Sequence, residues 1–121
     1  MITCNDTQLF SMIKLMNAIE AQVPKTFRAK KYDDWQINFD IVDGEVELYV
    51  FESTDDHYLD TSFYCHVWEG HVGSAASWSE KSGATKRFGV KGNPKSFYTR
   101  LARKILDDVK KVVDHQIKHS H

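Results

Sequence analysis

From Tyr32 to Glu80 the chain has no lysine and no arginine, although its 121 residues carry 16 of them. Twelve acids occupy that same stretch: Asp33, Asp34, Asp40, Asp43, Glu45, Glu47, Glu52, Asp55, Asp56, Asp60, Glu69 and Glu80. Residues 1–31 hold five bases and two acids, a balance of +3, while residues 32–80 stand at −12. Residues 81–111 hold ten bases and two acids, a balance of +8, and the remainder is neutral. The formal charge of −1 therefore conceals a strong segregation. Such a pattern describes fields and partners rather than fold, and it excludes a phosphate-binding surface built from the central block alone.

Other scarcities narrow the class further. Two cysteines, two prolines and six glycines exclude a disulfide scaffold and a low-complexity or collagen-like chain. Cys4 and Cys65 lack a CxxC partner, and both are expected to be reduced, with Cys65 acting as a small apolar side chain inside a strand. No apolar run approaches the roughly 18 residues of a spanning helix, because Lys14, Asn17 and Glu20 interrupt the first one. The chain reads as cytosolic, without a leader or a membrane segment.

What is present is legible in pieces. Asp6 is a plausible N-cap, and Leu9, Phe10, Met12, Ile13, Met16, Ile19 and Val23 recur at helical spacing until Pro24 ends the run. Residues 25–34 read as a connection carrying at most a short irregular strand. Trp35, Ile37, Phe39 and Ile41 then alternate with Gln36, Asn38 and Asp40, and Asp43-Gly44 supplies type I′ turn chemistry. A two-residue turn sets Val42 against Glu45, Ile41 against Val46, Phe39 against Leu48 and Ile37 against Val50, so one face is apolar throughout. Past a polar turn at residues 53–56, Leu59, Thr61, Phe63, Cys65 and Val67 alternate with Tyr58, Asp60, Ser62, Tyr64, His66 and Trp68 as a third strand. Residues 74–90 fit either a second hairpin around Ser82-Gly83 or a loop.

Asn93-Pro94 reads as a helix start, with Pro94 in the first helical position. Phe97, Leu101, Ile105, Val109 and Val112 or Val113 form the buried stripe of that helix; Arg100, Arg103, Lys104, Asp107, Asp108, Lys110 and Lys111 form its exposed face. The order defines an α+β fold: an N-terminal helix, an antiparallel meander sheet of three to five strands and a long C-terminal helix. Both helices pack on one sheet face, in a single domain over residues 1–121.

Four groups of side chains carry candidate chemistry. The outward sheet face collects Asp40, Glu45, Glu47, Asp60, Tyr49, Phe51, Tyr64, His66 and Trp68, an acidic and aromatic surface suited to a basic protein partner. Its plain alternative is a second core, covered by residues 74–90 or by a second copy in a homodimer. The basic segment with Lys86, Arg87, Lys91, Lys95 and Ser96 runs into a helix N-terminus and suits an anion, but it matches neither Walker A nor dinucleotide spacing. Its alternative is a solvated loop balancing the acids. His57, His66 and His71 lie near Asp55, Asp56, Asp60 and Glu69, without a known zinc spacing. His115 and His119, four apart, are placed to complement a helix C-terminus rather than to chelate a metal.

These readings lead to a small non-enzymatic interaction module of the adaptor, inhibitor, immunity or chaperone type. Imitation of nucleic acid by its carboxylates is a sub-case. No cofactor, metal or membrane contact is expected. The first alternative is nucleic-acid or nucleotide binding through residues 81–111, and the second is a small enzyme using histidine and aspartate.

Overall fold

The computed structural model describes residues 6–52, 61–81, 83–92 and 94–119, with backbone alone at residues 6 and 7. The expected N-cap Asp6 is where the first helix, α1 (Asp6–Thr26), begins. Met12, Leu15 and Ile19 are fully buried, whereas Leu9, Phe10 and Ile13 of the expected apolar set stay exposed. Pro24 does not end this helix. It sits within the last turn, where the carbonyl deprived of a donor belongs to the exposed Glu20, and the helix closes with the Phe27 N–H donating to the Val23 carbonyl at 2.9 Å.

The connection forms a 3-10 turn (Lys30–Tyr32) instead of an irregular strand. Tyr32 is buried edge-on to Phe27, and its hydroxyl donates to Asp114 at 2.5 Å. Strand β1 (Trp35–Val42) pairs with β2 (Glu45–Glu52) in the register demanded by the alternation, Ile37 opposite Val50, Phe39 opposite Leu48 and Ile41 opposite Val46. Asp43 and Gly44 adopt φ of 51° and 82°, the pair of positive angles a type I′ turn needs.

Strand β3 is described over Thr61–Glu69; the turn at 53–56 and the expected strand positions Tyr58, Leu59 and Asp60 lie outside the described residues. Residues 73–91 form β4 (Gly73–Glu80) and β5 (Lys86–Lys91), so the ambiguous segment extends the sheet rather than folding across it. The sheet is a five-stranded antiparallel meander in the order β1-β2-β3-β4-β5. Helix α2 (Phe97–His119) starts three residues after Pro94, whose carbonyl accepts the Phe97 N–H at 3.0 Å in a preceding turn; Asn93 lies outside the described residues.

Both helices cover the same face. Met12, Leu15 and Ile19 of α1 and Phe97, Leu101, Ala102, Ile105, Leu106, Val109 and Val113 of α2 meet Val46, Leu48, Val50, Phe63, Cys65, Val67, Ala76 and Trp78 of the sheet in one core. No helix among the described residues is long and apolar enough to cross a membrane.

Leu48→Ala is expected to cost about 2–5 kcal/mol in denaturant melts, because Leu48 is fully enclosed. Phe39→Ala should cost less, roughly 1–3 kcal/mol, since Phe39 is only partly buried. Asn38→Ala on the opposite face should stay within about 0.5 kcal/mol; a larger loss there than at Leu48 would invert the two faces. For Asp114, burial opposes ionisation, but hydrogen bonds from Tyr32 and Lys31 outweigh it and hold the carboxyl below its ordinary value. A depressed carboxyl contributes stability above its unfolded value and loses it as pH falls through the folded one. Asp114→Asn should therefore flatten the acid limb of stability against pH and, because Asp114 also raises the Lys31 ammonium and the Tyr32 phenol, alter the alkaline limb, while the neutral range between them stays parallel to wild type.

Candidate functional site

Alternation sends every second side chain of the sheet away from the helices, and no described element covers that face. The register aligns them in rows. One row runs Asp40, Glu47, Tyr64 and Ser79 across four strands; the next runs Asn38, Tyr49 and Ser62. A third holds His66, Ser77 and Arg87, and a fourth holds Trp68, Ala75 and Gly89. Trp68 is 52% and Tyr49 38% exposed, while Phe51, Tyr64 and His66 are half-buried by their neighbours.

Local contacts organise the acids. Glu45 Oε2 lies 2.8 Å from His66 Nε2, and the His66 ring stacks almost parallel to Trp68, with centroids 5.9 Å apart. A hydrogen bond to Glu47 raises the Tyr49 phenol above its ordinary value, since the carboxylate accepts the proton and repels a phenolate. Asp40 turns one oxygen to the Ile41 N–H at 2.9 Å. The structure thus brings Asp40, Glu45, Glu47, Tyr49, Phe51, Tyr64, His66 and Trp68 onto one surface over β1, β2 and β3. Asp60, assigned to the same surface from sequence, lies outside the described residues.

The far side of this face is basic. Arg87 and Lys91 point outward from β5, so the bare face grades from carboxylates on β1 and β2 to cations on β5. Lys86, next to Arg87, points to the helix side and bonds Asp108 at 2.7 Å. Lys95 and Ser96 are exposed in the turn before α2, where the Ser96 carbonyl accepts the Arg100 N–H at 2.9 Å. The anion set is therefore divided between the two sides of β5 and the start of α2.

Asp108 belongs to a feature missed by sequence reasoning. Expected on the exposed face of α2, it is turned inward, where its carboxylate accepts the Trp78 indole N–H at 2.7 Å as well as Lys86. It borders a cavity of about 230 Å³ lined by Phe63, Trp78, Glu80, Lys86 and Val112. The bases on either side of Asp107-Asp108 were the available signal, but the tryptophan partner of Asp108 is 30 residues away. Glu69 works similarly at the other end, accepting from Tyr98 at 2.5 Å and Lys14 at 3.3 Å, which joins β3 to both helices.

His57, Asp55, Asp56 and Cys4 lie outside the described residues; His71 is exposed in the turn after β3. Among the described residues no group of three histidine, cysteine or acidic side chains could hold a metal ion. The His115 and His119 rings lie 4.3 Å apart between centroids, tilted at 46° to each other, on the last turns of α2. Cys65 is fully enclosed, and burial pushes its thiol well above the ordinary range, which opposes formation of a nucleophilic thiolate.

Comparison with protein-family models, curated proteins and solved structures finds no match to the chain. The Tyr49–Glu47 pair offers a direct check on the face. Glu47→Gln should lower the midpoint of Tyr49 phenol titration followed by NMR, whereas Glu69→Gln, on the helix side, should leave it in place. No movement with Glu47→Gln would separate the two groups.

Proposed function

We propose that the protein is a non-enzymatic interaction module of the cytosol that docks a basic protein partner on the β1–β3 half of its bare sheet face. One observation carries this reading: both helices lie on one side of the sheet, which leaves Tyr49 and Trp68 exposed beside Asp40, Glu45 and Glu47. Carboxylates in solvent steer a cationic surface and accelerate encounter, while aromatic rings supply the desolvated contacts that slow its departure. The role is that of an adaptor or inhibitor, because recognition by such a face needs no reacting group.

Arg87 and Lys91 favour a second reading, in which a nucleic acid stacks on Trp68 and runs along β5. Two observations weigh against it. Lys86 is engaged with Asp108, and the acids on β1 and β2 repel phosphates on the same face.

NMR titration with an arginine-rich peptide containing apolar residues, and separately with a single-stranded oligonucleotide, distinguishes the two. The expected result is peptide-induced shifts in residues 40, 45, 47, 49, 64, 66 and 68 and none from the oligonucleotide at moderate salt. Asp40→Lys with Glu47→Lys should slow association, and Trp68→Ala should speed dissociation by roughly 10-fold or more, the range of an anchoring side chain. Oligonucleotide shifts centred on residues 86–96 would replace this proposal with the nucleic-acid one.

A further inference from the structure

The two edges of the sheet are not protected alike. Strand β5 is six residues long and carries Lys86, Arg87 and Lys91, the kind of charge that discourages pairing with another chain. Strand β1 has eight residues, Trp35–Val42, with no proline and no base, and Asp40 as its single charge. The Ile41 N–H lies on its outward side, where Asp40 caps it at 2.9 Å. By alternation the N–H and C=O groups of Trp35, Ile37 and Phe39 point outward too, and no described strand lies beyond them.

The helix side of this edge is also incomplete. Val46, Leu48 and Val50 on β2 are at most 1% exposed, but their neighbours Ile41, Phe39 and Ile37 on β1 are only half covered. The reason is that α1 packs over β2 and β3. Between α1 and β1 runs an open groove of about 540 Å³, with Met16, Val23, Ile37 and Phe39 among its lining. Leu9 and Ile13 continue the Met16 flank of α1 at helical spacing and are 40% and 39% exposed. The helix therefore carries more apolar surface than its own core uses.

We propose that the protein forms a two-fold dimer in which β1 pairs antiparallel with β1 of a second copy, about an axis at Asn38. Residues that face each other across a sheet must share a side, so their numbers sum to an even value. Pairing about Asn38 sets Ile37 opposite Phe39 and Trp35 opposite Ile41 on the helix side, and Gln36 opposite Asp40 on the bare side. Apolar meets apolar, an amide meets each carboxylate, and the two Asp40 side chains avoid each other. The outward groups of Ile37 and Phe39 then bond reciprocally, and the α1 flanks close over the joined strands. A two-fold contact is closed, whereas β1 against β5 of another copy would be head-to-tail and open-ended. The bare face described above continues across the joint and stays available.

Sedimentation equilibrium of the full chain up to millimolar concentration should show a monomer–dimer equilibrium. Gln36→Asp places a carboxylate opposite each Asp40 and should weaken the dimer about tenfold, whereas Gln36→Lys should tighten it. Gln36 is exposed, so circular dichroism and melting of the dilute protein should not change. Asn38→Cys in a Cys4→Ser background should oxidise to a covalent dimer, because the axial pair is not hydrogen-bonded and brings its Cα atoms to about 4.5 Å. Ser77→Cys, in the middle of the sheet, should not. A wild type that stays monomeric throughout overturns the proposal, including one whose Ile37 and Phe39 amides are already protected from exchange by residues 1–5. A dimer indifferent to both Gln36 variants, with no Asn38→Cys cross-link, overturns it as well.

Discussion

Everything in this molecule hangs on the register of the first hairpin. The Asp43-Gly44 turn, with both residues at positive φ, fixes Val42 opposite Glu45. A slip of one residue would send Ile37, Phe39 and Ile41 to solvent and Asn38 and Asp40 toward the helices. From that single alignment β3, β4 and β5 inherit their inward and outward sets, because each antiparallel neighbour must present the same face. The helices then have one apolar surface to cover, and the other face is left to carry polar, acidic and aromatic groups.

The charge segregation resolves into two different things in space. Part of it becomes a gradient across the bare face, from Asp40 and Glu47 to Arg87 and Lys91. Another part is used in clamps that hold the layers together: Lys86 and Trp78 on Asp108, Lys31 and Tyr32 on Asp114, and Lys14 and Tyr98 on Glu69. The exposed members of these clamps contribute little individually. The indole and phenol donors matter more, since each joins an otherwise apolar aromatic to a half-buried carboxylate, and burial together with Glu69 raises the Tyr98 phenol far above its ordinary range. What is left exposed on the sheet's other side is the acidic and aromatic half of that face.

The elements that could be read from sequence were those whose pattern has one solution. The hairpin is the clearest case, since apolar alternation and a turn dipeptide agree, and the stripe from Phe97 to Val113 is another. The hairpin of β4 and β5 is ambiguous in the sequence because Ser74, Ala75, Ala76, Ser77 and Ser79 carry little hydrophobic contrast; its burial pattern depends on Trp78 and on the strands beside it. The extent of the bare face was legible on β1–β3 but not its basic border, which required β5 to join the same sheet. On α1 the seven apolar positions implied a helix without revealing that three of them, Leu9, Phe10 and Ile13, remain outside the core and that Leu15 is inside it. Asp108 shows the same limit, because a charged residue on a basic helix reads as solvated until its tryptophan partner arrives from another layer.

The central claim is that one face of the sheet is bare in the folded monomer and presents Tyr49 and Trp68. Hydroxyl-radical footprinting of the dilute protein, read residue by residue by mass spectrometry, tests it most directly. The account predicts rapid oxidation of Trp68 and Tyr49 beside strong protection of Trp78 and Phe63. Protection of Trp68 and Tyr49 to the level of Trp78 would contradict it, for the face would then be a second core.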